Sequence, residues 1–302
     1  MTQKVRHTDR AFAYANGIEI AYDTLGDPAA DPLLLINGLG GQLITWHEGF
    51  CAELAARGYR IIRFDNRDVG LSTKFDQAGV PDLSPLTADQ ERGKEVEAPY
   101  TLRDMADDAI GLLDALNVLS AHVVGTSMGG RIAHLTAIHY PHRIRTLTSL
   151  MASMGEPGFP PPKPEVLSVL MEPAPTNRQV YIESSLVSAR ALGGRGFPLD
   201  EAFIREAAGK AFDRGSNPDG ITRQLAALMA AASNKSELKS LRVPSLIIHG
   251  SDDPLIPVEC AIDIANTIPG AQLLIIEGMG HSLMDIPGAW SQVIDAVARH
   301  AI

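Results

Sequence analysis

The segment GTSMGG, residues 125–130, is the part of the sequence best suited to chemistry. It follows an apolar run typical of a buried strand and precedes a segment with helical periodicity. A tight turn between a strand and a helix forces its central serine, Ser127, into a strained backbone conformation and exposes the hydroxyl at the sheet edge. Glycine at positions 125 and 129 fits such a turn, because side chains there would collide. The pattern therefore predicts a nucleophilic serine at position 127.

The same turn can stabilise negative charge. Because Ser127 begins a helix, the backbone N–H of Met128 points to where charge develops on the oxygen of an attacked carbonyl group. Met128 is therefore predicted to form half of an oxyanion hole. The structural alternative is a glycine-rich turn that contains a serine without a chemical role.

A histidine must accept the proton of the serine, because a hydroxyl group is a poor nucleophile at neutral pH. Nine histidines are present. His281 lies in the glycine turn EGMGHS after the last apolar run, from which its ring can reach the carboxyl ends of the strands. His249, at the end of another run, is the second candidate, although its position fits sheet packing equally well. The remaining histidines considered are expected to be packed or solvated: His7, His122, His134, His139 and His300.

A carboxylate must orient that histidine, and the segment GSDDPLIP, residues 250–257, offers two neighbouring aspartates. Adjacent residues in an extended turn point in different directions, so only one can face His281. We favour Asp253 and expect Asp252 to cap a turn or to face water. Ser127, His281 and Asp253 together would form the triad of a serine hydrolase.

The elements that must position these groups alternate along the chain. Apolar runs that end in turns rich in glycine or aspartate alternate with helical patterns, which predicts a mostly parallel sheet covered on both faces. Asn16-Gly17 between two alternating runs predicts an antiparallel hairpin at the start. The predicted strands are 33–37, 60–65, 121–125, 145–151, 245–250 and 272–278, and the predicted helices are 101–117, 128–140 and 289–300.

This alternation breaks between about residues 152 and 241, where helix-like segments follow one another without a convincing strand. The break indicates an insertion, which we call the cap segment. Within it, residues 221–231 place four apolar side chains on one helical face that must pack against something: Ile221, Leu225, Leu228 and Met229. The polar, turn-rich residues 73–100 are predicted to form a long surface loop.

The bulk composition fits one large α/β domain with an insertion: 302 residues, 45% hydrophobic and 21% charged. A formal net charge of −10 argues against nucleic acid and anionic membranes as partners. No leader-like apolar region begins the sequence and no run approaches the ~18 apolar residues of a spanning helix, so a cytoplasmic location is expected. Cys51 and Cys260 lie far apart and are expected to be packed thiols.

In these motifs the sequence resembles the α/β-hydrolase superfamily, and within it the esterase-like branch of bacterial methylesterases, carboxylesterases and perhydrolases. The family order of nucleophile, acid and histidine matches Ser127, Asp253 and His281. The family acid lies three residues after a glycine and is commonly followed by an apolar pair and proline, which selects Asp253 over Asp252. The resemblance covers nearly the whole core and implies an eight-stranded, mostly parallel sheet with helices on both faces.

Two further segments match the family. NGLG, residues 37–40, resembles the oxyanion loop, which implies that the N–H of Leu39 acts beside that of Met128. Asn37 stands where the family commonly has histidine, a difference that leaves the backbone donor intact. DNRDVGLS, residues 65–72, resembles a structural turn in which Asp65 and Arg67 hold loops near the site.

The resemblance also implies that the insertion after the sixth strand is a helical cap over the site. The expected domains are therefore a core of residues 1–151 and 242–302, and a cap of residues 152–241. The candidate substrate pocket comprises Gly38, Met154, Phe159 and Met229.

The expected activity is cleavage of a small, largely apolar carboxylic ester through an acyl-enzyme, a mechanism that requires no metal or cofactor. The same triad can serve carbon–carbon bond hydrolysis, perhydrolysis or lactone cleavage, and the fold does not choose among them. A non-catalytic binding protein is the alternative from another class, disfavoured because the whole triad is present. The expected partner is a small ester, with no nucleic acid and no membrane; a homo-oligomer is left open.

Overall fold

The computed structural model describes residues 7–83, 98–172 and 174–301. Its described residues form one eight-stranded sheet in the order β1-β2-β4-β3-β5-β6-β7-β8. β1 and β2 run antiparallel, β2 pairs antiparallel with β4, and every later pairing is parallel. The strands are β1 His7–Ala15, β2 Ile18–Leu25, β3 Asp31–Ile36, β4 Tyr59–Phe64, β5 Ala121–Thr126, β6 Ile144–Leu150, β7 Ser245–Gly250 and β8 Gln272–Ile276.

The helices cover both faces of this sheet. They are α1 Glu48–Ala56, α2 Leu102–Ala115, α3 Met128–His139, α4 Pro164–Met171, α5 Arg178–Leu192, α6 Glu201–Gly215, α7 Pro218–Ala230, α8 Lys235–Leu238, α9 Val258–Thr267 and α10 Pro287–His300. Along β3, Leu34 and Ile36 belong to a core shared with α2, α3 and α9, whereas Leu33 and Leu35 belong to a core shared with α1 and α10. Successive strand residues thus face opposite layers, as the period of two requires.

The predicted strands and helices form, and their ends lie within two residues of the predicted ones. The hairpin is also confirmed: Asn16 and Gly17 have φ values of 48° and 79°, as a two-residue type I′ turn requires. Helix α2 begins at a capping box, in which the Thr101 hydroxyl accepts a hydrogen bond from the backbone N–H of Asp104 while the Asp104 carboxylate accepts one from the N–H of Thr101. Local signals therefore set most of the core.

The cap segment contributes helices α4 to α8 between β6 and β7, and its described residues contain no strand. The division into a core of 1–151 and 242–302 and a cap of 152–241 stays a prediction. Of the segment 73–100, predicted as a surface loop, residues 84–97 lie outside the described residues. No helix in the described ranges is both long and apolar enough to cross a bilayer.

Both cysteines lie inside the fold as free thiols. Cys51 lies on the buried face of α1, and Cys260 lies on the buried face of α9. Burial raises the pKa of Cys51 to about 12 and that of Cys260 to about 11. Both thiols therefore stay protonated at neutral pH, as expected of packed rather than reactive cysteines.

Buried ion pairs join the cap segment to the turn after β4, residues 65–72. Arg214 of α6 donates to Asp65 over 2.6 Å. Arg223 of α7 donates to both carboxylate oxygens of Asp68, over 2.9 and 2.8 Å. Asp68 is fully buried and Arg223 is 1% exposed. Burial by itself raises the pKa of Asp68, but the hydrogen bonds from Arg223 and the backbone N–H of Phe75 outweigh it and lower that pKa.

Replacing Arg223 with methionine is expected to lower the free energy of unfolding by about 3–5 kcal/mol, because the Asp68 carboxylate is left buried without its cation. Urea denaturation measures the change. The control is Arg190→Met, which removes an exposed pair with Glu201 and should have little measurable effect. If both variants were equally stable, the pair between Arg223 and Asp68 would not contribute to the free energy of unfolding.

Candidate active site

Ser127 lies at the sharp turn where β5 passes into α3. Its φ and ψ are 55° and −121°, a left-handed conformation that a residue with a side chain adopts only under strain. The turn is held on both sides: the N–H of Ser127 donates to the carbonyl of Leu150 in β6, and its own carbonyl accepts from the N–H of Gly130. The neighbouring strand thus fixes the direction in which the hydroxyl is presented.

Three glycines permit this turn. A Cβ atom on Gly125 would lie 2.1 Å from the carbonyl oxygen of Gly129, and one on Gly129 would lie 2.3 Å from that of Ile36. The sequence indicated these two positions. It did not indicate Gly130, where a Cβ would lie 2.5 Å from the Cβ of Ala152. The first turn of α3 therefore packs directly on the chain that leaves β3 and β6.

His281 follows the last strand, β8, and lies between Ser127 and Asp253, which follows β7. Its Nε2 lies 3.0 Å from Ser127 Oγ, and its Nδ1 lies 2.7 Å from Asp253 Oδ2. Because a carboxylate only accepts, Nδ1 carries the ring proton and Nε2 is left to accept from the serine hydroxyl. The N–H of His281 also donates to the carbonyl of Leu192 at the end of α5. The cap segment therefore helps to hold the loop that carries His281.

The carboxylate of Asp253 is buried, and both of its oxygens accept hydrogen bonds. Its Oδ1 accepts from the N–H groups of Leu255 and Ile256, over 2.9 and 2.8 Å. Burial by itself raises the pKa of Asp253, but the charge of His281 and the hydrogen bonds from His249 and His281 outweigh it and lower that pKa. Asp253 is therefore ionised at neutral pH, and its carboxylate faces the ring of His281.

Asp252, the alternative acid, points elsewhere. Its carboxylate accepts from the side chain of Arg195 over 2.8 Å, and that arginine is 92% exposed. The hydrogen bond from Arg195 lowers the pKa of Asp252. The carboxylate of Asp253 therefore faces the interior, whereas that of Asp252 faces the exposed Arg195 at the surface.

His249, the alternative base, lies behind the acid. Its Nε2 is 2.9 Å from the carbonyl oxygen of Ile256 and 3.2 Å from Asp253 Oδ2. Both partners accept, so Nε2 carries the proton and donates to them. The sequence did not indicate this second histidine on Asp253, although the spacing of four residues across the turn is a local signal that could have done so.

Other histidines pack in the core. His122 bonds the Thr146 hydroxyl and His134 bonds the Ser149 hydroxyl, both on β6. No cluster of three or more His, Cys, Asp or Glu side chains suited to holding a metal ion occurs in the described part of the chain.

Residues 37–41 form a tight turn beside the serine. It contains the predicted oxyanion loop, residues 37–40, and we keep that name for the whole turn. A Cβ atom on Gly38 would lie 3.1 Å from the Cβ of Ser127, which shows how closely the backbone approaches. The N–H of Gly41 donates to the carbonyl of Gly38. The side chain of Asn37 donates to the carbonyl of Gln42, so this asparagine holds the loop together from within.

A cavity of about 510 Å³ opens at Ser127 and His281. Gly38, Leu39 and Met128, all predicted for the site, lie on its wall. The apolar part of the lining comprises Leu39, Trp46, Met128, Leu150, Met151, Pro162, Leu170, Leu192, Leu225, Leu228, Leu255, Ile256, Leu283 and Met284. Core loops and cap helices therefore line the cavity together.

Three residues predicted for the pocket do not line this cavity. The chain after β6 alternates, so that Met151 and Ser153 face the cavity while Met154 is buried in the core with α3. Phe159 is half-buried, and its segment reaches the cavity at Pro162 instead.

Met229 follows Leu228 on α7, and successive helical residues point about 100° apart. Leu225 and Leu228 face the cavity and Met229 does not. Ile221, on the same predicted face of this helix, packs beside Gly40. Its side chain lies about 3.2 Å from the position that a Cβ on Gly40 would take.

Arg131 brings a cation to the cavity wall. It donates to the carbonyls of Leu228, Ala231 and Ala232 at the carboxyl end of α7, over 3.4, 3.2 and 2.8 Å. Burial lowers the pKa of Arg131 to about 10, so it remains charged at neutral pH. A cation at this end of a helix is favourable, and the contact fixes α7 on the core.

Comparisons with known proteins agree with this architecture. A family model described as alpha/beta hydrolase fold matches residues 31–286. The chain is 34% identical over 280 residues to rhodomycin D methylesterase DauP from Streptomyces sp. (strain C5), covering 86% of this chain and 87% of the relative. It is 28% identical over 284 residues to a 2-hydroxymuconate semialdehyde hydrolase from Pseudomonas sp. (strain CF600), covering 90% and 85%.

A solved structure has the same fold. The 2-hydroxy-6-oxo-6-phenylhexa-2,4-dienoate hydrolase from Rhodococcus sp. strain RHA1 superimposes with a TM-score of 0.76 at 16% identity, covering 98% of this chain and 99% of that chain. Sequence and fold agree, and this chain belongs to the α/β-hydrolase family and to its esterase-like branch.

Proposed function

We propose that this chain is a serine esterase in which Ser127 attacks the carbonyl carbon of a small, largely apolar ester. One observation carries the proposal: the ring of His281 bridges Ser127 Oγ and Asp253 Oδ2, over 3.0 and 2.7 Å, and Ser127 and His281 line a largely apolar cavity. This is the arrangement that nucleophilic catalysis by a hydroxyl group needs.

In the first half of the reaction, the proton of Ser127 passes to His281 Nε2 while Oγ bonds to the carbonyl carbon. The carbonyl oxygen becomes an anion, which the N–H groups of Leu39 and Met128 stabilise. The bond to the alkoxy oxygen then breaks, His281 returns the proton to that oxygen, and the alcohol leaves an acyl-enzyme on Ser127.

In the second half, water replaces the alcohol. The oxygen of a water molecule bonds to the acyl carbon while His281 accepts a proton from that water. The bond between the acyl carbon and Ser127 Oγ then breaks as His281 returns the proton to Oγ. Asp253 stays ionised throughout because its pKa is lowered, so it fixes the ring tautomer and stabilises the protonated ring. The products are a carboxylic acid and the regenerated hydroxyl.

The lining of the cavity favours apolar substrates. Leucine side chains from three cap helices, Leu170, Leu192 and Leu228, line it together with the core residues Leu39 and Met128. A cavity of about 510 Å³ falls in the usual range for small-molecule sites. The likeness to a methylesterase supports an ester with a small alcohol part.

Hydrolysis of a carbon–carbon bond is the second candidate. The relative from Pseudomonas sp. is named for 2-hydroxymuconate semialdehyde, a molecule without an ester group. The same triad can serve that reaction, because the difference lies in the pocket and in the placement of water.

A substrate panel tests the proposal. The purified chain is offered p-nitrophenyl esters of increasing acyl length, methyl esters of apolar acids, and 2-hydroxymuconate semialdehyde. We expect turnover of the esters, highest for apolar acyl groups that fit the cavity. Turnover of the semialdehyde alone would favour the second candidate, and binding without turnover of any compound would indicate a non-catalytic protein.

A further inference from the structure

The oxyanion loop is held by a side chain of the cap segment. Gln224, in the middle of α7, accepts a hydrogen bond from the N–H of Gly40 over 2.9 Å. It also donates to the carbonyl of Arg67 over 2.8 Å and is fully buried. These two partners determine the orientation of its amide group, since the N–H of Gly40 needs an acceptor and the carbonyl needs a donor.

The loop has the geometry of a type II turn. The N–H of Gly41 donates to the carbonyl of Gly38, and Gly40 has φ 68°, whereas Leu39 is not among the residues with positive φ. The first peptide unit of this turn joins Gly38 to Leu39. Because its carbonyl is engaged by Gly41, the N–H of Leu39 points in the opposite direction, as it must in a trans peptide.

The middle peptide unit, between Leu39 and Gly40, distinguishes a type II turn from a type I turn, in which it is turned over. Gln224 holds the N–H of this unit. Without that acceptor, we expect the middle unit to turn over more readily, which changes ψ of Leu39 and φ of Gly40 and so loosens the residue that carries the donor N–H. An oxyanion donor stabilises developing charge most when its position is fixed before the reaction, so such loosening should weaken catalysis.

Helix α7 is itself fixed on the core. Arg223, next to Gln224, forms the buried pair with Asp68, and Arg131 binds the carbonyls at the end of the helix. Leu225 and Leu228 of the same helix face the cavity. The helix therefore contacts both the substrate space and the loop that stabilises the oxyanion.

From these contacts we propose that Gln224 is a positioning residue for catalysis: by binding the N–H of Gly40, it sets the turn that presents the N–H of Leu39 to the oxyanion. The proposal rests on the proposed esterase function. It assigns to the cap segment a part in stabilising the transition state as well as in enclosing the substrate.

The test compares Gln224→Met, which keeps the length of the side chain and removes both hydrogen bonds, with Gln224→Glu. In this fully buried position the glutamate carboxyl is expected to be protonated, so that it still accepts from the N–H of Gly40 and donates to the carbonyl of Arg67. We expect Gln224→Met to lower kcat about tenfold or more and to change KM by less than about twofold, since the lost interaction acts in the transition state. Gln224→Glu should recover most of kcat. Thr222→Ala, which removes a hydroxyl that donates to the carbonyl of Pro218 within α7, is the matched control.

Two ketones separate positioning from simple support of the cap. With trifluoromethyl hexyl ketone, Ser127 Oγ adds to the ketone carbon, its proton passes to His281, and the ketone oxygen becomes an anion in the oxyanion hole. Methyl hexyl ketone binds in the same cavity with little such addition. Gln224→Met should weaken inhibition by the trifluoromethyl ketone about tenfold or more, in parallel with the fall in kcat. Inhibition by the methyl ketone should be unchanged.

The opposite results would overturn the inference. If Gln224 only supported the cap, KM would rise and both ketones would bind more weakly by the same factor. Unchanged kcat in Gln224→Met, or an equal loss in Gln224→Glu, would also count against it. Absence of ester turnover in the unaltered chain would instead refute the esterase proposal, so the two failures can be told apart.

Discussion

Replacing Ser127 with alanine is expected to lower kcat for ester hydrolysis by about 10⁴-fold or more. The change removes the nucleophilic oxygen that bonds to the acyl carbon. The oxyanion hole and the binding of substrate in the cavity then provide only a small residual rate acceleration. The fold should persist, because the strained backbone and its hydrogen bonds to Leu150 and Gly130 do not involve the side chain. Steady-state kinetics and thermal melting measure the two expectations.

The control is Ser185→Ala on cap helix α5. Its hydroxyl donates to the carbonyl of Tyr181 in the same helix, and the residue lies outside the cavity lining. This variant should keep full activity. A Ser127→Ala protein that hydrolysed esters at a near-normal rate would show that another group is the nucleophile.

Changing Asp253 to asparagine should lower kcat by about 10⁴-fold, since an amide in place of the carboxylate favours the wrong tautomer of His281. The asparagine would also bury an NH₂ group against the N–H groups of Leu255 and Ile256 or against the rings of His249 and His281. Changing Asp252 to asparagine should alter kcat by only about twofold to threefold, because that carboxylate serves the exposed Arg195.

The comparison between these two variants is informative because the residues are adjacent and the substitution is the same. Kinetics on one ester, with circular dichroism to confirm folding, is the measurement. Comparable losses in both variants would mean that neither aspartate alone orients the histidine.

Much of the fold could be predicted because its signals are local. Each core strand is a short apolar run that ends at a turn, and the serine turn carries its own requirement for glycine at positions 125 and 129. The placement of Ser127, Asp253 and His281 near one another follows from the rule that parallel strands bring their carboxyl ends to the same edge. No long-range contact had to be known for that inference.

The cap segment could be anticipated as helical but not placed. Met154 faces the core rather than the cavity because of a one-residue alternation that begins at Met151, whose φ is 50°. The hydrogen bond between Gly40 and Gln224 joins residues 184 positions apart. Nothing in either local sequence indicates that contact, since it depends on how α7 docks on the core.

Titration of the chain with diethyl p-nitrophenyl phosphate tests most directly whether Ser127 is a nucleophile activated by His281. The phosphorus ester should release one equivalent of p-nitrophenol per chain, and peptide mapping by mass spectrometry should find the diethylphosphoryl group on Ser127. A label on any other residue, or an intact protein that releases no p-nitrophenol, would contradict the assignment.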